Sequence, residues 1–312
     1  MTVNAANRGT RGDIAFRLLV AAGASALLLL GISTIVNGVG TRGAPVVPRT
    51  SMPASAGNAG PAPNGSDATW SGMRLVFHAT FQGSSLDHAI WTTCYPWHDS
   101  PAGCTNYGNP EYQWFLPAQV QVAHEALRLV ASREPTHGYS ATGNPEMYGW
   151  RSGMVTTYGS FSFTYGYVQF RARVASGAGF WSALWMLPVN LSWPPEIDVV
   201  EILGGNPTQP SYFYHPPGVP TFEGGFASRP IANLSKGWHT FGVDWQPGSI
   251  TWYTDGHRVY QYRGPTPNTP MYLLADLAVT VGISSSSPSH AALYIKSVRV
   301  YQGSGASPGS PR

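Results

Sequence analysis

Over residues 71–303 the apolar positions recur with a period of two, in short runs separated by glycine, proline, asparagine and aspartate. Val120 and Val122, then Leu127, Leu129 and Ala131, alternate with polar neighbours around a short turn. Phe161, Phe163 and Tyr165 alternate ahead of Gly166, and residues 167–174 alternate again. Residues 250–254 and 258–262 flank Asp255-Gly256, a pair suited to a type I′ turn, and so predict a hairpin. Residues 294–301 read as a closing strand. No run has the length and period of an amphipathic helix. Many short strands with turns between them predict an all-β domain, a sandwich of two antiparallel sheets.

Outside that domain the pattern changes. Arg8, Arg11 and Arg17 precede an uncharged apolar run at 18–36, about long enough to span a bilayer. The positive flank keeps the N-terminus cytoplasmic, so residues 1–40 are expected to be a signal peptide or a retained signal-anchor. No small-x-small cleavage site follows at the usual distance, and both forms stay open. Residues 41–70 are rich in Gly, Pro, Ala, Ser and Asn and predict a linker; residues 304–312 predict a disordered tail. The domain at 71–303 is therefore expected outside the cytoplasm, secreted or held to the membrane by its N-terminal segment. In that oxidising compartment Cys94 and Cys104, separated by a loop with Pro96, Pro101 and Gly103, are expected to form a disulfide.

Composition narrows the partners. Net charge is +3, charged residues are 11% and aromatics 12%. No basic stripe tracks a phosphate backbone, so nucleic acid is not expected. The chain is expected to be a monomer.

One segment breaks the alternation. In Trp193-Pro-Pro-Glu196-Ile-Asp198-Val-Val-Glu201-Ile-Leu203 three carboxylates fall within six residues. Fifteen acidic residues in 312 leave about 0.3 for an average window of that size. On a regular strand Glu196 and Asp198 share a face and Glu201 points the other way, where an unpaired carboxylate in a core would cost several kcal/mol. One extra residue, a β-bulge around Val199-Val200, returns Glu201 to the shared face. Three like charges in a row push at least one pKa upward. Cleaving a glycosidic bond needs that inequality: one ionised carboxylate and one protonated acid. Neighbouring positions on one strand also favour the short separation of retaining enzymes, roughly 5–5.5 Å against 6.5–9.5 Å for inversion. A solvated acidic strand and a Ca²⁺ site are the competing readings; a stiff β-branched strand suits calcium poorly.

Glu196-Ile-Asp-Val-Val-Glu201 resembles the E-x-D-x-x-E signature of glycoside hydrolase family 16 in its bulged, laminarinase-type form. Tyr148-Gly-Trp-Arg-Ser-Gly153, Tyr165-Gly-Tyr-Val-Gln-Phe-Arg-Ala-Arg173, Gly179-Phe-Trp-Ser-Ala-Leu-Trp-Met-Leu-Pro188 and Trp238-His-Thr-Phe-Gly-Val-Asp-Trp245 are similar to further strands of that family, and Gly108-Asn-Pro-Glu-Tyr-Gln-Trp114 to another of its segments. The resemblance implies a β-jelly-roll with an open cleft and endo-acting cleavage of β-1,3 or mixed β-1,3/1,4 glucan. It implies Glu196 as nucleophile, Asp198 as its assistant and Glu201 as acid/base. It implies sugar contacts from Trp193 and His215, with Trp181, Trp185 and Asp276 as further cleft candidates. Asp276 stands where many members carry a cleft Asn. Lys296 stands where many carry an Asp that helps bind a structural Ca²⁺; a cation offers no lone pair, so no metal or other cofactor is expected. A cell-surface glucan transglycosylase and a non-catalytic glycan-binding module are the alternatives on the same fold.

Overall fold

In a computed structural model, the structure describes residues 69–70, 72–96, 111–140, 144–218, 222–227 and 231–303. The expected N-terminal segment, nearly all of the linker, the tail and Cys104 lie outside the described residues.

Two sheets stack to form the expected jelly-roll sandwich. The larger holds eleven strands; its main path runs His257–Arg263, Ser249–Thr254, His239–Gln246, Gly166–Arg173, His290–Gln302, Ala126–Ser132, Trp150–Ser152 and Gln113–Phe115. The smaller holds six, in the order Glu223–Phe226, Ser211–His215, Glu196–Leu203, Phe180–Pro188, Met271–Val279 and Met154–Thr156. Pairing in the smaller sheet is antiparallel throughout, and among the described residues the sole helical element is a three-residue turn, Pro117–Gln119.

Alternation assigns each side chain a layer. Phe170, Phe241, Val243, Val298 and Val300 from the larger sheet meet Leu184, Met186, Leu273 and Ala275 from the smaller. Each of these side chains except the small Ala275 contributes roughly 1.5–3 kcal/mol on burial. The opposite positions of the smaller sheet, Ala183, Trp185, Leu187, Tyr272 and Leu274, form a second apolar cluster on its outer face, capped by Tyr95 and Phe115. That outer face is the one the site occupies.

The Asp255-Gly256 hairpin forms as read, with both turn residues at positive φ (49° and 76°) and Thr254 opposite His257. Two expectations need correction. The alternating 161–165 segment is not a strand: apart from a bridge between Phe163 and Met271 it is irregular. Tyr165 at φ 56° and a turn closed by the Phe161 N–H on the Thr157 carbonyl leave no extended run to pair. The sheet also begins inside the expected linker, because Gly72 at φ 80° folds Thr69–Trp70 back onto Met73–Arg74.

Candidate active site

The carboxylate strand, Glu196–Leu203, carries the bulge that its spacing predicts. Against the Phe180–Pro188 strand, Leu184 faces Val200 and Trp185 faces Asp198, so Val199 has no partner. Pairing with Ser211–His215 slips over the same stretch: Glu196 faces His215 and Glu201 faces Ser211. Ile197, Val199, Val200 and Ile202 all bury in the core, while Glu196, Asp198 and Glu201 take the outer face. A bulge frees backbone groups from the ladder. One of them is satisfied from the other sheet: the fully buried Trp252 donates its indole N–H to the Asp198 carbonyl at 2.7 Å.

Surroundings then separate the three acids. Burial, and next the charge of Asp198, push Glu196 up to about 8; His215 and the Trp193 indole N–H, 2.6 Å from Glu196 Oε2, pull it back. Asp198, almost wholly buried, is raised by burial and relieved by its hydrogen bond with Glu196. Every influence on Glu201 is upward: burial first, then Asp198, Glu196, Asp276 and Glu111. The carboxylates cannot all ionise together, and the proton they retain is held most firmly by Glu201. Burial lowers His215, which is therefore neutral near pH 7; its Nε2 lies 3.6 Å from Asp198 Oδ2, an oxygen with no hydrogen-bond partner among the described residues.

The other expected residues divide. Trp193 and Trp181 are half-buried, Trp193 tilted against His215 with ring centroids 5.8 Å apart. Trp185 shares the outer face with Trp181 but is not an open platform. It is 7% exposed because Tyr95 packs edge-on against it at 6.2 Å. Its indole N–H ends on Asp276 Oδ2 at 2.7 Å. Asp276 is buried and lies in one row with Glu201, the two separated by Ala183 on the strand between. Its carboxyl is pushed well up by burial, then by Glu111, against the Trp185 hydrogen bond.

Three contributors escaped the sequence reading. Tyr95 caps Trp185 and feels the charges of Asp276, Glu111 and Glu196; only its place beside Cys94 hinted at a fixed position. Glu111 sits in a recognised motif that carried no role. Trp252 lies 54 residues from the carbonyl it satisfies.

Among the described residues, donor atoms of Glu196, Asp198 and His215 lie within 4.8 Å of one another, a set with the chemistry to hold a cation. Lys296, which was read as denying calcium a ligand, pairs with Glu125 at 3.3 Å.

A family model, Glycosyl hydrolases family 16, matches residues 111–289. An endo-1,3-1,4-beta-glycanase of Rhizobium meliloti is 32% identical over 209 residues. That match covers 64% of this chain and 44% of the relative, so the chain spans less than half the relative's length. A beta-glucanase of Rhodothermus marinus is 31% identical over 203 residues, 60% of this chain and 65% of that protein. Among solved structures, the catalytic domain of an endo-1,3-beta-glucanase (laminarinase) from Thermotoga petrophila superposes with a TM-score of 0.65 at 25% identity, covering 75% of this chain and 99% of that one.

Proposed function

The chain belongs to glycosyl hydrolase family 16, and from that membership we propose an endo-acting hydrolase of β-1,3 or mixed β-1,3/1,4 glucan that works with retention. The observation that carries the reading is the bulge at Val199, which sets Glu196 and Glu201 on one face of one strand. Activities named for relatives support the substrate class.

In this reading ionised Glu196 attacks the anomeric carbon while Glu201 gives its proton to the departing glycosidic oxygen. The product is a covalent glycosyl-enzyme and a shortened chain. Glu201, now ionised, takes a proton from water, whose oxygen displaces Glu196 and restores both groups. The Trp193 N–H steadies the charge of Glu196 as the ester forms and breaks, while Asp198, hydrogen-bonded to Glu196, opposes that charge and favours its discharge into the ester. Trp193 and Trp181 offer flat faces to sugar C–H groups, and His215 borders the reacting ring. Trp185 acts through Asp276 rather than on sugar. No cofactor takes part, and the protein works as a monomer. Residues 1–40 direct export or anchor the chain, 41–68 form the linker, 69–303 the catalytic domain and 304–312 a tail; Cys94 and Cys104 form the disulfide.

A polysaccharide panel of laminarin, lichenan, mixed-linkage glucan, agarose and carrageenan, with product sizing and NMR of fresh products, tests this. Internal cuts in a β-glucan with the β-anomer appearing first are expected. Initial α-anomer would exclude retention, products longer than the substrate would mean a transglycosylase, and binding without cleavage would mean a glycan-binding module. Glu196→Gln should abolish turnover and leave polysaccharide binding intact.

A further inference from the structure

Asp198 Oδ2 is buried and has no hydrogen-bond partner among the described residues. A buried carboxylate oxygen in that position calls for a water or an ion. His215 Nε2 lies 3.6 Å from it, too far for a hydrogen bond. The same distance suits two ligands of one ion, because a pair of metal–ligand bonds of about 2.0–2.1 Å spans up to about 4.2 Å. Glu196 completes the set: one donor atom from each of Glu196, Asp198 and His215 lies within 4.8 Å of the other two.

The fold fixes these donors. Glu196 and His215 are opposite one another on adjacent strands, and Asp198 shares the outer face with Glu196. Trp193 and Phe222 both pack tilted against the imidazole, with ring centroids 5.8 and 5.9 Å away, and hold its plane. The Trp193 indole N–H also orients the Glu196 carboxylate through Oε2.

We propose that Glu196, Asp198 and His215 form a site for Zn²⁺, which binds in competition with glucan and stops turnover. One imidazole nitrogen and two carboxylates are zinc's ligand types, and the two carboxylates balance its charge. Three protein ligands leave a fourth position for water, on the side where Glu196 is partly exposed. Ca²⁺ and Mg²⁺ take six or more ligands, nearly all oxygen, which this set does not offer. The proton between Glu196 and Asp198 leaves to solvent as zinc enters. The ion then occupies the lone pairs with which Glu196 would attack, so it is an inhibitor and not a cofactor. The inhibition rests on the glucan-hydrolase reading; the binding does not.

Calorimetric titration of ZnCl₂ into the full chain, in a buffer that does not chelate, should show a site that His215→Ala and Asp198→Asn each weaken tenfold or more. Zinc bound equally by the parent and both variants overturns the site. Anomalous scattering at the zinc edge from the parent, which needs no variant, should place the ion between the three side chains; zinc found only elsewhere also overturns it. In assays on laminarin, zinc at ten times its Kd should raise KM about elevenfold with kcat unchanged, and EDTA should reverse the effect. A fall in kcat with KM unmoved overturns the competition with glucan, and equal inhibition by Ca²⁺ or Mg²⁺ overturns the assignment to zinc. If the parent cleaves no glucan yet zinc binding still depends on His215 and Asp198, the hydrolase reading fails and the metal site stands.

Discussion

Trp252 in one sheet donates its indole N–H to the carbonyl of Asp198 in the other, at 2.7 Å across the core. The bulge that turns Glu201 outward loosens backbone from its ladder, and Trp252 supplies a partner from behind. Trp252→Phe keeps the ring and removes the donor. Loss of a buried hydrogen bond should cost about 1–3 kcal/mol, and loosening the bulge should lower kcat by about tenfold. Trp245→Phe is the control. Its indole, also fully buried, donates to the Pro267 carbonyl at 3.2 Å, away from the carboxylates. Denaturant titration should show both variants destabilised, with kcat reduced only in the first. Equal kcat in both would mean that Trp252 serves stability alone.

Trp193 favours the ionised form of Glu196. Its N–H at 2.6 Å stabilises the charged carboxylate, against burial and Asp198, which raise it. Trp193→Phe retains an aromatic surface but no donor, so Glu196 should hold its proton to higher pH. In the proposed mechanism Glu196 attacks as the carboxylate, so the acidic limb of the kcat/KM profile should move upward. At neutral pH the rate should fall about three- to tenfold. A uniform loss with the limb unmoved would assign Trp193 to sugar stacking only.

Glu201 makes the domain less stable as pH rises. Burial and four neighbouring carboxylates raise it in the folded state above its unfolded value. Such a group contributes its full stability below the unfolded value and loses it as pH climbs toward the folded one. Glu201→Gln has no charge to bury. The variant should melt a few degrees higher than the parent at neutral pH, and the gap should close in acid. Thermal melts across pH measure this; a gap that widens toward acid contradicts the assignment.

What could be read from the chain follows from the range of each interaction. The bulge was legible because acids at 196, 198 and 201 break a period of two inside a β-branched run, and a regular strand would have driven Glu201 into the core. The hairpin was legible because Asp255-Gly256 supplies both left-handed residues locally. At 161–165 the same period misled, since the turn at Thr157 and the left-handed Tyr165 act over the alternation. Trp185 looked like a stacking surface because its strand position gives only its face. Whether a loop carrying Tyr95 closes over that face is settled about 90 residues away. Trp252 and Glu111 were hidden for the same reason: each acts through a partner fixed by sheet stacking, not by neighbours in sequence.

Asp276 extends the carboxylate row, and its charge sets how long Glu201 keeps its proton. The side chain is buried, its carboxyl is pushed well up, and the Trp185 indole holds one oxygen. Near neutral pH it is therefore a neutral acid, and asparagine reproduces both its shape and its charge. Asp276→Asn should leave kcat/KM at the optimum within about twofold of the parent. On the alkaline side the two should part. Ionised Asp276 raises Glu201 in the parent, and the amide cannot, so Glu201 loses its proton earlier in the variant. The basic limb should move to lower pH, cutting alkaline activity by about half or more. The acidic limb, set by Glu196, should stay where it is. Profiles of kcat/KM for the pair decide the matter: a basic limb that rises or stays fixed would show that Asp276 touches sugar without tuning the acid, and the row from Glu201 through Ala183 to Asp276 would then be one of position only.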